Sequence, residues 1–405
     1  MNIGSLAALA VSVLVVPLLF TLVDMAGSLR AHSARRTYDP PTTEEDFEVL
    51  VPIYGNVRYL ENVPYLRDYG RRVLLCTTTS ETPEFDAQLE TIAAANGFRI
   101  FRGEVPRPSE GRSGKRQTGG TIRDRVVRDA LETVRAPWVV CIDADTITTR
   151  PLGELVGALA ARRLDLASIR LVPSNTEKVL GRIQVHEYRL AMQLRRVVPW
   201  LVSGACHAAR TEVHRQVMRR HSLFFQGNDV ELGILADSLG YRVGHVPFEV
   251  PTTVPDRVKP WLRQRLAWAG GEVRLFIVNA RLARRHPLMW AYGAAAFLLA
   301  PVRWITAVDL ARDLPCTLSI LVLAVVTFLY LALAFYVHWQ KRDATLWLMP
   351  LYGALSSLVI TPLGLLWYIK MGASDHNWGI IRLAGRHRNS RPGAQSDSAV
   401  ETTRS

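Results

Sequence analysis

The sequence predicts an α/β domain, built on a parallel βαβ sheet, that is flanked by membrane-spanning segments. Three observations indicate this. Strand-like apolar runs alternate with amphipathic helical stretches between Asp46 and Arg285. The apolar run Trp138–Ile142 ends in Asp143-Ala144-Asp145, as expected for a buried strand with a polar tip. Uncharged runs long enough to cross a bilayer lie at both ends of the chain.

The apolar runs define the predicted membrane segments. Met1–Val23, Leu314–Val337 and Ala344–Ile369 contain no charged residue, and each is long enough for a spanning helix. The run Pro287–Val302 is shorter and stops at Arg303, so we expect it to lie in the membrane interface or to re-enter. The sequence therefore predicts a multi-pass protein of the plasma membrane.

The first apolar segment is either a cleaved signal peptide or a retained anchor. Its first five residues contain no Lys or Arg, which is unusual for a signal peptide. Arg30, Arg35 and Arg36 follow the segment closely, and positive residues stay on the cytoplasmic side. We therefore expect an uncleaved anchor with the globular domain in the cytosol. The predicted regions are an anchor at 1–28, a globular domain at 46–280, membrane or interfacial helices at 281–371, and a polar, disordered tail at 372–405.

The charge composition indicates which classes of partner the protein binds. The 405 residues include 49 basic and 36 acidic side chains, a formal charge of +13, without any nucleic-acid recognition motif. Basic residues that face the anionic lipids of a bilayer explain this charge, and we expect no nucleic-acid partner. The four cysteines form no C-x-x-C pair, which indicates reduced structural thiols.

The predicted elements follow from apolar periodicity and from turn residues. Pro52 and Gly55 end the first strand, and Gly97 ends the first helix. Arg107–Gly120 is rich in Gly, Ser and Pro and is expected to form a loop. The predicted strands are Phe47–Val51, Arg72–Cys76, Arg99–Arg102, Trp138–Ile142 and Leu166–Val172, and the predicted helices are Phe85–Asn96, Ile122–Val134 and Lys178–Arg196.

Asp143 and Asp145 are the first candidates for a functional site. Ligands of open α/β sheets bind beyond the carboxyl ends of the strands, where this pair lies. Two carboxylates there suit a hard divalent cation that bridges to a diphosphate. The alternative is an ordinary turn, since Asp is common in turns.

Further motifs occur in a fixed order around this pair. They are Val51-Pro52-Ile53-Tyr54, Gly114-Lys115-Arg116, the small-residue turn Ser203-Gly204-Ala205-Cys206, Gly227-Asn228-Asp229-Val230-Glu231-Leu232, Gln264-Arg265-Leu266-Ala267-Trp268 and Trp378-Gly379. Together they resemble the family 2 glycosyltransferases, and among these the membrane-embedded hyaluronan, chitin-oligosaccharide and capsular polysaccharide synthases. The resemblance covers roughly Glu48 to Arg382.

The resemblance implies a cytosolic GT-A domain, a Rossmann-like fold that binds a nucleotide-diphosphate sugar with Mg²⁺ or Mn²⁺. It implies that Asp145 ligates the metal and that Asp143 holds the ribose or assists the metal. It also implies that Lys115 contacts the nucleotide, the alternative being a solvated loop lysine. Asp229 matches the catalytic base, which takes the proton of the acceptor hydroxyl in an inverting transfer. The alternative for Asp229 is a helix N-cap, but Asn228, which replaces the family's usual acid, is expected to serve as the cap.

The last helical motif departs from the family pattern. Gln264 and Trp268 match, whereas Ala267 stands where the family has an arginine that approaches the diphosphate. Arg263, four residues before Ala267, is one candidate to supply that charge, and Arg265 is the other. The resemblance implies that Trp268 stacks on the acceptor sugar, the alternative being a core tryptophan.

A second departure follows the second strand, which usually ends in acids that read the nucleobase. Here Thr77 and Glu81 are open alternatives. The expected function is a membrane-bound, metal-dependent transferase that elongates a glycan acceptor from a UDP-sugar and exports the product. The alternatives are a single-addition transferase on a lipid-linked acceptor and a catalytically inactive, nucleotide-binding membrane scaffold.

Overall fold

The computed structural model describes residues 43–104, 119–223, 227–287, 316–338 and 343–374, with isolated positions between 289 and 312. A seven-stranded sheet lies at its centre. Its strands are β1 (Phe47–Pro52), β2 (Val73–Thr78), β3 (Arg99–Gly103), β4 (Trp138–Ile142), β5 (Leu166–Pro173), β6 (Cys206–Arg210) and β7 (Val243–Thr252). The five strands predicted from the sequence are thereby confirmed, each within two residues of its predicted ends.

The sheet is mixed, so the prediction of a parallel sheet is wrong for one strand, β6, while the other six strands run parallel to one another. The strand order is β3-β2-β1-β4-β6-β5-β7. Strand β1 is parallel to β2 and β4, whereas β6 is antiparallel to both β4 and β5. The segment Ser203–Cys206, predicted as a turn, leads directly into β6. That strand reads Cys-His-Ala-Ala-Arg and contains no β-branched residue, so its composition does not reveal it.

Helices cover both faces of the sheet. They are α1 (Pro83–Asn96), α2 (Gly119–Leu131), α3 (Leu152–Ala161), α4 (Val179–Val197), α5 (Thr211–Met218), α6 (Asn228–Ser238), α7 (Val258–Val278), α8 (Cys316–Val337), α9 (Met349–Leu355) and α10 (Thr361–Ser374). Short helical segments occur at Val57–Tyr59, Val63–Leu66, Arg67–Arg72, Ala280–Arg284, Ala344–Leu348 and Ser356–Ile360. The predicted first helix is confirmed: Thr82 caps it through a hydrogen bond from the Phe85 N–H, and Gly97 ends it at φ +71°.

Two apolar cores explain why the central strands are buried along their whole length. Alternate residues of β4 point to opposite faces. Val140 and Ile142 belong to the core under α1 and α3. Val139 and Cys141 belong to the core under α2, α5 and α6. With both faces covered, the carboxyl-end edge of the sheet is where β4 can present polar side chains.

The C-terminal helices pack against α7. At Gly364 of α10, an added Cβ would come within 2.3 Å of the Ala269 Cβ, so glycine allows the two helices to approach closely. Large apolar side chains on these helices, among them Phe328, Leu351 and Leu366, are exposed. Among the residues that the structure describes, no helix is both long and apolar enough to cross a membrane. The predicted anchor at 1–28, the remainder of the Arg107–Gly120 loop before Gly119, and Trp378 with the polar tail after Ser374 lie outside the described residues.

Candidate functional site

The acidic turn at the end of β4 is held in place by Asn62, which sequence reasoning did not single out. The Asn62 amide donates hydrogen bonds to the backbone oxygens of Asp143 (3.0 Å) and Thr146 (2.7 Å). The Ala144 oxygen in turn accepts from the backbone N–H groups of Glu61 and Asn62. Because Asn62 is buried, these bonds are shielded from water and fix the direction in which the two acids point.

Arg123 of α2 binds Asp143 and is a second residue that sequence reasoning missed. Its Nε and Nη2 lie 3.0 and 2.8 Å from Asp143 Oδ1. Burial raises the pKa of Asp143, and the Arg123 guanidinium opposes this by favouring the ionised form. Asp145 is exposed. One oxygen of Asp143 is thus engaged by the protein, while the Asp145 carboxylate faces solvent.

Asp229 lies in the first turn of α6 and contacts the Ser203–Cys206 segment, which Arg123 also contacts. Its Oδ2 accepts a hydrogen bond from the backbone N–H of Gly204 at 2.8 Å. The Gly204 carbonyl oxygen accepts from Arg123 Nη2 at 2.7 Å. Gly204, in the predicted small-residue turn, is therefore bonded directly to Asp229 and, through Arg123, to Asp143.

The expectation that Asn228 caps α6 is wrong. Gly227 is the residue before the helix, with φ +79°, and no side chain caps it. The Asn228 amide instead donates to Asp124, and its oxygen accepts from Arg274 Nη1 at 2.9 Å. The left-handed backbone of Gly227 and its contact with Gly271 favour glycine there, since an added Cβ would lie 3.3 Å from the Gly271 oxygen.

A buried ion pair fastens α6 to α7. Arg274 Nη2 lies 2.6 Å from Glu231 Oε2, and both side chains are fully buried. Ser222 and Asn279 also donate hydrogen bonds to the Glu231 carboxylate. Burial alone would raise the pKa of Glu231, but His221 and Arg274 outweigh it and lower that pKa to about 2. The helix that carries Asp229 is therefore anchored by charge as well as by packing.

The Gln264–Trp268 motif lies on α7, and Arg265 contacts both Gln264 and Trp268. Arg265 is buried, donates to Gln264 Oε1 at 2.7 Å, and forms an ion pair with Glu187. Its guanidinium carbon lies 4.3 Å from the centre of the Trp268 ring. Trp268 is 45% exposed, which is inconsistent with the core alternative. Arg263 is exposed.

Arg195 of α4 is a third residue that sequence reasoning missed. Burial lowers its pKa, and electrostatic attraction to Asp229 and Tyr188 counteracts this. The Tyr188 ring lies 6.2 Å from the Trp268 ring. Arg195 therefore lies close enough to Asp229 for an electrostatic interaction, and Tyr188 lies beside Trp268. In the sequence, Arg195 is one of several arginines on an amphipathic helix. Nothing in the pattern distinguishes it from an arginine that faces solvent.

The opposite end of the site lies where β1 and β2 end. Glu81 accepts hydrogen bonds from the Gly55 N–H at 2.9 Å and from the Thr78 hydroxyl at 2.7 Å. Tyr54 precedes Gly55, and burial raises its pKa although Arg123 opposes the rise. Thr77 is fully buried, which leaves Glu81 as the partly exposed group of the two sequence alternatives. Lys115 lies outside the described residues.

The residues at the acidic turn fit a hard divalent cation. Asp145 offers an exposed carboxylate, and Asp143 Oδ2 is not the oxygen that Arg123 holds. Oxygen donors of this kind suit Mg²⁺ or Mn²⁺, whose remaining coordination positions are filled by water and by phosphate oxygens. Asp145 and Asp143 are therefore the residues that would hold such an ion.

Comparison with known proteins agrees with this geometry. Residues 138–338, about half of the chain, match the family described as glycosyl transferase family group 2. An N-acetylglucosaminyltransferase of Azorhizobium caulinodans is 25% identical over 271 residues, which cover 62% of this chain and 67% of that protein. A hyaluronan synthase-related protein of Xenopus laevis is 26% identical over 144 residues, 35% of this chain and 24% of that protein.

The fold also has a solved counterpart. A mannosyltransferase from Pyrobaculum calidifontis, solved in complex with GDP-Man and Mn²⁺, superposes with a TM-score of 0.54 at 16% identity. The match covers 90% of this chain and 98% of that protein. At this identity the likeness concerns the fold, whose mixed sheet with covering helices resembles GT-A. With the family match and the relatives, it leads to one conclusion: the chain belongs to the family 2 glycosyltransferases.

Proposed function

We propose that this glycosyltransferase is a metal-dependent inverting enzyme that transfers a hexosyl unit from a nucleotide-diphosphate sugar, with Asp229 as its general base. The observation that carries the proposal is the link through Gly204, which donates to Asp229 and accepts from the Arg123 that binds Asp143. An inverting transfer needs a donor site and a base on opposite sides of one reacting carbon, and this arrangement holds the two acids a fixed distance apart.

Asp229 is suited to accept the proton. The Gly204 N–H engages its Oδ2, which fixes the carboxylate plane and leaves Oδ1 for the acceptor hydroxyl. As that hydroxyl oxygen forms its bond to the anomeric carbon, its proton passes to Asp229. The bond between the anomeric carbon and the diphosphate oxygen breaks, and the electron pair leaves with the nucleoside diphosphate.

Asp145 and Asp143 would hold Mg²⁺ or Mn²⁺, which neutralises charge on a leaving diphosphate when bound. Arg123 binds Asp143 Oδ1 and favours the ionised form of this carboxylate, which orients it for this task. Glu81 and Tyr54 lie at the strand ends where the nucleoside would be bound, and Lys115 is proposed to contact the nucleotide from its loop.

The charge that Ala267 does not supply is proposed to come from Arg195. Arg195 interacts with Asp229 from within a largely buried environment, where a cation acts more strongly on a nearby phosphate than it would in water. Arg265 is already engaged by Glu187 and Gln264, and its role is to orient Trp268 and Gln264.

The exposed Trp268 ring is proposed to stack on the acceptor sugar. The N-acetylglucosaminyltransferase and the hyaluronan synthase-related relatives favour a UDP-linked N-acetylhexosamine or hexose as donor. We propose a growing oligosaccharide or polysaccharide as acceptor, with processive addition and export, from the resemblance of the sequence motifs to polysaccharide synthases. A single addition to a lipid-linked acceptor is the alternative for the same site.

We further propose that the protein resides in the plasma membrane with its catalytic domain on the cytosolic side. Support comes from the uncharged runs in the sequence and from the exposed apolar side chains of α8, α9 and α10. A face of this kind is stable against lipid and unfavourable against water. The net charge of +13 complements anionic headgroups.

The deciding experiment incubates the purified full chain with a panel of nucleotide sugars and Mn²⁺ and measures nucleoside diphosphate release. We expect release with one or two donors, and release lower by roughly 10²-fold or more from the matched Asp229→Asn variant. Product length, read by mass spectrometry, then separates elongation from single addition. No release above the Asp229→Asn background with any donor would support the inactive-scaffold alternative instead.

A further inference from the structure

A second set of metal-ligand side chains lies behind the acidic turn and differs from it in chemistry. Cys141, His207 and His214 are buried, and their ligand atoms all lie within 4.8 Å of one another. Cys141 of β4 and His207 of β6 are direct partners across the antiparallel pair, so their side chains emerge on the same face. His214 reaches them from α5, which covers that face.

The hydrogen bonding of His207 prepares one ring nitrogen for a ligand. Its Nδ1 lies 3.0 Å from the Ser203 carbonyl oxygen, which can only accept, so Nδ1 carries the proton and Nε2 bears a lone pair. Among the described residues, the buried Nε2 has no hydrogen-bond partner. Histidines that ligate metals commonly donate their other ring N–H to a backbone carbonyl in this way.

The contact between Cys141 and His214 does not satisfy either group well. The Cys141 Sγ lies 3.9 Å from His214 Nδ1, which is a weak hydrogen bond. The rings of His207 and His214 are 5.2 Å apart, edge to face. A buried polar atom without a good partner is costly, and this cluster contains such atoms beside one another. A bound cation would satisfy all three side chains at once.

We propose that Cys141, His207 and His214 bind a thiophilic d¹⁰ metal ion, with Zn²⁺ as the expected species. One thiolate and two neutral imidazoles are ligands that zinc prefers, and the Cys141 thiol would give up its proton on binding. The set contains no oxygen donor and therefore does not suit Mg²⁺. The ion would join β4, β6 and α5, and its role would be structural support for the Gly204 turn, which precedes β6.

The first test is the metal content of the purified full chain. After expression with zinc and dialysis against excess Mg²⁺, we expect about one zinc per chain in the wild type. Cys141→Ala and His207→Gln should lose it. The matched control is Cys76→Ala, because Cys76 is a buried free cysteine on β2 in the same core but outside the cluster, and this variant should retain zinc.

Cobalt exchange gives a second readout that does not depend on activity. Co²⁺ in the wild type and in Cys76→Ala should show a thiolate-to-cobalt charge-transfer band, and Cys141→Ala should lack it. If the Cys141 and His207 variants fail to fold, the wild type decides: removing its zinc with a chelator should lower its melting temperature, and adding zinc back should restore it. Zinc well below one equivalent with no thermal shift in the wild type overturns the proposal, as does undiminished zinc in a folded Cys141→Ala variant.

Discussion

The carboxylates of Asp143 and Asp229 are connected through one residue, Gly204, whose carbonyl oxygen accepts from the Arg123 that binds Asp143 and whose N–H donates to Asp229. Two acids from distant parts of the chain are thereby set at a separation that the backbone defines. Burial and, to a smaller extent, the nearby carboxylates of Asp145 and Asp229 raise the pKa of Asp143, and Arg123 opposes this rise.

The first prediction concerns Asp145. Asp145→Ala should abolish sugar transfer and leave the fold intact, because the side chain is exposed and Asn62 holds the turn through its backbone. EDTA should inactivate the wild type reversibly. Nucleoside diphosphate release measures both effects, and Asp68→Ala, at another exposed aspartate, should remain active. Full activity in chelator would show that the acidic turn is not a metal site.

The second prediction concerns Asp229. Asp229→Asn can keep the hydrogen bond from Gly204 through its amide oxygen but cannot accept a proton at neutral pH. We expect donor binding near the wild-type value and turnover lower by roughly 10²-fold or more. Asp237→Asn, at the other end of the same helix, is the control and should change neither. If Asp229→Asn kept most of the rate, the base would have to be another group.

The third prediction separates the candidate arginines. Arg195→Ala should lower kcat/KM by roughly 10- to 150-fold, the loss of one charge-assisted contact of about 1.5–3 kcal/mol. The exposed Arg263→Ala should have a much smaller effect. Introducing the family's arginine at 267 is not a useful rescue, because Ala267 is buried and the larger side chain would overpack α7. A larger loss at Arg263 than at Arg195 would reverse the assignment.

The fourth prediction concerns the pH dependence of stability. Folding lowers the pKa of Glu231 from 4.5 to about 2, so its stabilising contribution is complete above pH 4.5 and is lost as the pH falls towards 2. Glu231→Gln should cost about 3–5 kcal/mol near neutral pH, because Arg274 would stay buried without its counter-charge. Denaturant unfolding from pH 2 to pH 7 measures this.

The control for that experiment is Glu212→Gln, which removes an exposed carboxylate from an ion pair on α5. Its unfolding free energy should stay close to the wild-type value near neutral pH. The wild-type curve should rise more steeply than that of Glu231→Gln between pH 2 and pH 4.5. Parallel curves would mean that Glu231 is not the ionised partner of Arg274.

The sequence predicted those parts of the fold that local pattern encodes. Wholly apolar runs such as Trp138–Ile142 and a helix capped by Thr82 carry their structure in composition and turn chemistry. Strand β6 escaped prediction because its Ala-rich sequence forms a strand only when β4 and β5 pair with it. Of the site, the motif residues were identifiable by resemblance, whereas Asn62, Arg123 and Arg195 act through contacts that only the tertiary structure creates.

Helix α7 is attached to α6 by the Arg274–Glu231 pair and to α10 by the close approach of Ala269 and Gly364, and it also carries the exposed Trp268. Helix α7 consequently joins three parts of the molecule. They are the surface proposed to hold the acceptor, the helix that bears Asp229, and the C-terminal helices. Tilting α10 would displace Trp268 and Asp229 together. In the proposed processive addition, advance of the product past Trp268 and realignment of the base for the next acceptor hydroxyl would then occur as a single coordinated movement.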